Sequence, residues 1–202
     1  MIIELSQDSK RFLTENKALL KKNDLKSFYA KLSYYKDIFT EVSEFLFSVL
    51  DSNLFKYLDA IPNDFMLGSK NIKEIRITGN VEKIGANAFK DSKLEKVVIE
   101  DGVDIIMNSA FANCSNLKSV DLGGVKIIRN NAFEGCNSLR EIYLPETVQM
   151  LGAKVFPENV LIKSPPRKRN SLRFPKNELE WYKQHLVLDR VNDVEEPEEE
   201  EI

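Results

Sequence analysis

One histidine and two cysteines are the chain's supply of side chains for soft nucleophilic or imidazole chemistry. His185 has no second histidine with which to share a metal, and no cysteine near it in sequence to activate. The common His-based metal and nucleophile constellations therefore cannot be assembled, and His185 reads as a surface residue. Cys114 and Cys136 stand 22 residues apart. That pair admits a disulfide or half of a metal site, but two small buried thiols in a ladder fit better, since free cysteine is among the most buried residue types. No Gly-x-x-x-x-Gly-Lys phosphate loop is present, and Gly123-Gly124 reads as a turn. Carboxylates are plentiful, yet nothing marks two of them as partners in a cleft. The expectation is a protein that is not an enzyme, with no catalytic residue, no metal and no cofactor.

Charge is distributed unevenly. From Lys163 to Lys176 there are six basic residues and no acidic one, whereas 189–202 holds eight acids and one arginine. Arg167, Lys168, Arg169 and Arg173 are candidate nucleic-acid contacts, with Trp181 or Tyr182 to stack on a base. The basic stretch is short, however, and the chain as a whole carries −3, so a solvated loop or a partner for the tail is the better reading. The tail from Val194 to Ile202 is too acidic and too poor in apolar residues to fold. It reads as a disordered, solubilising tail, ahead of a competitor for a basic site or a mimic of nucleic-acid charge.

The elements that must position these residues are set by a repeat. Phe89, Phe111, Phe133 and Phe156 recur at spacings of 22, 22 and 23 residues, the first three preceded by alanine and the last by Val155. An outlying copy from Ile61 places Phe65 where the next ring would fall. Between the rings, apolar pairs recur at Ile75/Ile77, Val97/Ile99, Val120/Leu122 and Ile142/Leu144. Residues two apart share one face of an extended strand. After a turn come Val81/Ile84, Val103/Ile106, Val125/Ile128 and Val148/Leu151, a second short extended piece. One such coil cannot bury its own apolar face. Stacked coils bury ring on ring, and at least three are needed.

The pattern Ile-x-x-x-Ala-Phe-x-x-Cys-x-x-Leu-x-x-Val-x-Leu from Ile106 to Leu122, repeated with isoleucine for valine from Ile128 to Leu144, resembles the BspA-like leucine-rich repeat. The resemblance covers about half of the chain. It implies a solenoid, and implies function only broadly, because members of the family serve as adhesins, host-binding proteins and intracellular proteins. Ser92 stands where the pattern has cysteine. At Gly123-Gly124 the Leu-Pro ending that Leu144-Pro145 keeps is lost.

Residues 1–60 contain neither glycine nor proline. Ser6 or Asp8 caps a first helix ending near Asn23, and Asp24 caps a second. In that second helix Leu25, Phe28, Leu32, Tyr35, Phe39, Val42, Leu46 and Val49 form one apolar seam. The seam reads as packing within the chain, in preference to a coiled-coil dimer. A short third helix spans 53–60. Asn177 is expected to cap a C-terminal helix with Glu180 in capping-box position. The fold class is thus α+β: a helical region at 1–60, a short solenoid at 61–162, a basic linker at 163–176, a helix at 177–188 and an acidic disordered tail at 189–202. No apolar run approaches membrane-spanning length. The N-terminus has no basic segment leading into an apolar one, so no secretory signal is read and a cytoplasmic monomer is expected.

Strand alternation then names the contact face. Arg76, Val98, Asp121 and Tyr143 point outward between the buried pairs, flanked by Glu74, Lys96, Ser119 and Glu141. A second row, Ile105, Ile127 and Met150, is either an exposed apolar patch or is covered by the helices or by the segment after Pro166. The leading function is a protein-protein interaction module binding an unidentified protein through this sheet. Alternatives are a nucleic-acid-associated protein regulated by its tail, and a phage- or mobile-element-encoded inhibitor of a host protein.

Overall fold

The computed structural model describes residues 5–22, 24–165 and 172–188. Arg167, Lys168, Arg169 and the acidic tail lie outside them.

The chain opens with helices. Ser6 caps α1 (Gln7–Glu15), its hydroxyl accepting from the Ser9 amide at 3.2 Å. The helix stops at Asn16, whose side chain donates to the Phe12 carbonyl at 2.9 Å, and a short α2 (Lys17–Lys21) follows. Asp24 caps α3 (Leu25–Leu32) by accepting from the Ser27 amide at 3.1 Å. The expected long second helix is broken: α3 ends at Leu32, and α4 (Lys36–Leu50) begins four residues later. The Ser33 hydroxyl donates to the Ala30 carbonyl at 2.8 Å, a local bond of the kind that competes with helix continuation. The break folds the seam back on itself. Leu25, Phe28 and Leu32 from one side and Phe39, Val42 and Leu46 from the other enter one core, while Tyr35 and Val49 are 53% and 64% exposed. A 3₁₀ segment (Asp51–Tyr57) then buries Leu54 and Phe55, with Leu58 buried just beyond it.

Two kinds of strand now alternate along the chain: β1 (Ala60–Ile61), β2 (Glu74–Ile77), β3 (Lys83–Ile84), β4 (Lys96–Ile99), β5 (Ile105–Ile106), β6 (Ser119–Asp121), β7 (Ile127–Ile128), β8 (Glu141–Tyr143), β9 (Met150–Leu151) and β10 (Leu161–Ser164). The short ones make a five-stranded parallel sheet in the order β1-β3-β5-β7-β9. The long ones were expected to form one continuous sheet, but they form two ladders. One is β2-β4-β6; the other contains β8 and β10, and no ladder joins β6 to β8. At the end of β6 the Asp121 carboxylate accepts from the Gly123 amide at 3.1 Å, closing a local turn where the Leu-Pro ending is lost.

The rings stack as the spacing predicts. Phe89, Phe111 and Phe133 lie 5.1 Å apart at interplanar angles of 10° and 1°, and Phe156 follows at 5.8 Å and 12°. That rise is close to the ~4.8 Å between hydrogen-bonded strands, so the ladders dictate the stacking distance. The outlying copy is shifted by one residue. The Met66 amide donates to Ala88 O just as the Phe89 amide donates to Ala110 O, so Met66 takes the ring position. Phe65 falls in the alanine position, edge-on to Phe89 at 79°. There it touches Tyr29 and Phe55, at 5.5 and 6.3 Å, and welds the helices to the first coil. Around Met66 and around each of the next three rings the backbone takes left-handed φ at fixed offsets, at Asp64, Asn87, Ser109 and Asn131 before and Gly68, Asp91, Asn113 and Gly135 after. Most are Asp, Asn or Gly, the types that tolerate this region.

The C-terminal segment completes one more, irregular coil. Arg173 bridges to Met150 at the edge of the five-stranded sheet. A 3₁₀ turn (Lys176–Glu178) leads into α5 (Leu179–His185), and β11 (Leu186–Leu188) pairs in parallel with β10. The helix begins two residues later than expected, with Glu178 at the cap position and no side-chain capping bond. Leu186, inside the span expected to be helical, is in the strand. Tyr182 is buried, donating to the Gly152 carbonyl at 3.2 Å and stacking on Phe174 at 4.4 Å. Helices, coils and cap share one apolar core running from Phe12 to Tyr182.

Candidate functional site

The ladder pairing sets the outward rows. Glu74, Lys96 and Ser119 are in register, as are Arg76, Val98 and Asp121. Across the break, Glu141 is in register with Leu161 and Tyr143 with Lys163. All eight candidate residues of this face are exposed except Val98, which is half-buried between Arg76 and Asp121. The alternation holds because Ile75, Ile77, Val97, Ile99 and Ile142 point the other way and are buried, with Val120 half-buried.

Much of the charge on this face is paired between coils. Arg76 Nη1 reaches Glu100 Oε1 at 3.0 Å, and Lys163 Nζ reaches Glu141 Oε2 at 2.8 Å. One step earlier in the coils, Lys118 and Lys73 flank Glu95 at 3.2 and 3.4 Å. Hydrogen bonding and attraction from Lys118, then from Lys73, hold the Glu95 carboxyl below its ordinary range. What remains for a partner is Glu74 and Lys96, exposed and in no ion pair among the described residues, and an apolar pair, Tyr143 at 49% and Leu161 at 41% exposure. Leu161 was missed in the sequence, though the same alternation finds it: Ile162 and Ser164 are buried, so Leu161 and Lys163 turn outward.

The second row is intermediate between the two expectations. Ile105, Ile127 and Met150 are in register and half-buried. Arg173 extends their edge, its amide donating to Gln149 O at 2.9 Å and its carbonyl accepting from the Leu151 amide at 3.0 Å. Arg173 itself is exposed at this edge.

The residues with chemical potential are occupied structurally. Cys114 and Cys136 are free and buried, each thiol donating to the phenylalanine carbonyl of the coil before it at 3.1 Å. Hydrogen bonding with Cys114 and then burial push the Cys136 thiol up, so it stays protonated. His185 is half-buried, stacked on Trp181 at 4.3 Å, with Nδ1 2.8 Å from the Trp181 carbonyl. Among the described residues no cluster of His, Cys, Asp and Glu has the grouping of a metal site, and no helix is long and apolar enough to cross a membrane.

Comparison with known proteins bears on the architecture. A model of the BspA type leucine rich repeat region matches residues 38–165 in six copies. Similar solved structures include a leucine-rich repeat protein of T. pallidum, with TM-score 0.46 and 21% identity over 56% of this chain and 54% of that one. A leucine-rich cell surface protein of Faecalibacterium prausnitzii A2-165 gives 0.47 and 21% over 62% and 34%. A leucine-rich repeat protein of Bacteroides ovatus ATCC 8483 gives 0.33 and 22% over 58% and 43%. The chain thus spans about half or less of the length of each. Among curated proteins no relative was found.

Proposed function

Because the chain belongs to the BspA-type leucine-rich repeat family, which its residues 38–165 match, we propose that it is a non-enzymatic module binding a partner protein through the outward face of its long strands. Repeat folds of this kind commonly mediate protein-protein interaction, offering extended surfaces built from stacked coils. The observation that carries the reading is the pairing of Tyr143 and Leu161. They are exposed on one face of β8 and β10, beside charged residues already satisfied within the chain. An aromatic and an aliphatic anchor inside a polar rim is the composition of an interface centre. The module acts as a monomer, since the helical seam is used internally, and the two buried free thiols suit a reducing compartment.

The test is recovery of a bound protein by the full chain and by a triple variant, Asp121→Asn, Tyr143→Ala, Leu161→Glu. Asparagine keeps the turn bond to Gly123 while removing the charge. The expected result is a partner recovered about tenfold less well at an unchanged melting temperature. Equal recovery by the variant removes this face as the binding surface.

A further inference from the structure

The last regular coil is cut short. Nine residues separate Phe111 from Val120 and Phe133 from Ile142, but six separate Phe156 from Ile162, although Ile162 is in register with Ile142. Two of the three missing residues fall between the ring and the cysteine position, which Pro157 takes, its carbonyl accepting from the Val160 amide as the Cys136 carbonyl accepts from Leu139. The space they leave is a groove of about 610 Å³, walled on one side by the turn after Phe133 and on the other by Trp181 of α5. Its volume falls within the ~300–1,000 Å³ of small-molecule sites.

The lining has a definite chemistry. Leu139 and Phe156 are buried beneath it, and Trp181 is half-buried at its wall. Asn137, Asn159 and Asn177 present side-chain amides that have no hydrogen-bond partner among the described residues. Arg140, Lys154 and Glu158 stand with them. Two further carboxylates are engaged within the chain: Glu178 accepts from the Lys154 amide at 2.9 Å, and Glu134 accepts from the Asn131 side chain. The rim therefore holds both signs with no cationic excess, which argues against a phosphate or a polyanion. It is bounded by turns and a helix, with no free strand edge inside it, so an extended peptide would find no ladder to join.

We propose that this groove is a binding site for a neutral saccharide of one or two pyranose units. Each sugar hydroxyl both donates and accepts, and so does each asparagine amide; planar amide, carboxylate and guanidinium groups meet vicinal hydroxyls two at a time. The C–H face of a pyranose packs on an indole, whose apolar body and polar edge suit a ligand that is itself apolar on one face and polar at its rim. Uncharged ligands match a rim that holds both signs, Arg140 and Lys154 against Glu134, Glu158 and Glu178, with no cationic excess.

Trp181 is the sole tryptophan in the chain, so intrinsic fluorescence reports on this groove directly. The full-length protein is titrated with glucose, galactose, mannose, N-acetylglucosamine and the disaccharides lactose, cellobiose and chitobiose, with glucose 6-phosphate as the charged comparison. The expected result is a saturable change in emission with at least one neutral sugar. The double variant Asn137→Ala, Asn159→Ala, whose side chains are exposed and bear no structural bond, should bind that sugar about tenfold or more weakly, having lost two hydrogen-bonding partners. Saturation-transfer NMR on the sugar protons, in the parent and in Arg140→Gln, checks the result independently of the fluorophore. The proposal is overturned if no neutral sugar saturates, if only the phosphorylated sugar responds, or if the variants bind as well as the parent.

Discussion

Phe111 is fully buried between two rings lying almost parallel to it, and the neighbouring coils cannot close over a gap there without breaking strand register. Phe111→Ala should therefore lose about 3–5 kcal/mol in urea unfolding, whereas Phe111→Leu, which keeps more of the volume, should lose less. A loss below about 1 kcal/mol for the alanine variant would mean that the column is not the core of the molecule. This column was legible in the sequence because side chains buried in every coil must recur with the coil. The one-residue shift at Phe65 and Met66 was not. Both are large and apolar, and only the hydrogen bonds from the Met66 and Gly68 amides to the next coil decide which of them faces the column. Tyr143 was legible from alternation on its own strand, and Leu161 by the same rule. In the sequence Trp181 reads only as a stacking platform for a base; its wall of the groove depends on a shortened coil and on a helix whose docking no periodicity announces.

Among the helices, α1 is pinned to α4 by a single carboxylate. Glu41 accepts from the Ser6 amide, from the Ser6 hydroxyl at 2.8 Å and from the Ser9 hydroxyl at 2.6 Å. Burial raises the pKa of this carboxyl, but the bonds from Ser9 and Ser6 outweigh it, and Glu41 lies below the ordinary glutamate value. A carboxyl depressed in the folded state contributes stability that is present above its unfolded pKa of ~4.3 and is lost as pH falls through the lower folded value. The wild-type melting temperature should thus fall more steeply below that pH than that of Glu41→Gln, and thermal melts across the acid range measure the difference. Parallel curves would mean that the carboxylate is not what holds the two helices together. The seam itself was legible as an apolar stripe. Its break after Leu32 was not, since Ser33-Tyr34-Tyr35 contains no glycine or proline and the turn is chosen by what both halves of the stripe can bury.

At the scale of the molecule, a stack of coils has two ends that would each expose an apolar layer. The helices close one, with Phe65 as the joint, and 172–188 closes the other by imitating a coil: Arg173 beside Met150, α5 in place of the ring turn, β11 beside β10. A chain ending at residue 165 should lose Tyr182 from above Gly152 and leave the β10 edge unpaired. The expected outcome is a lower melting temperature and concentration-dependent association by light scattering. A truncated chain that melts like the parent and stays monomeric would show that this segment closes nothing. The N-terminal closure could be anticipated from the need to cover the first coil. The C-terminal one could not, because its strand follows the helix directly and carries no turn signal between them.

Phe111 and Phe133 are tilted by only 1° and their centroids are 5.1 Å apart, so along the ring column one step follows the other by almost pure translation. Translation, unlike rotation about a closed axis, sets no count. A tandem duplication of a 22-residue unit here would slide in as one more rung of the five-stranded sheet and one more ring of the column, leaving either closure untouched, and a deletion of the same length would slide out. The protein's length is thus a quantity that replication slippage can adjust in whole steps, and the breadth of whatever surface it offers scales with it.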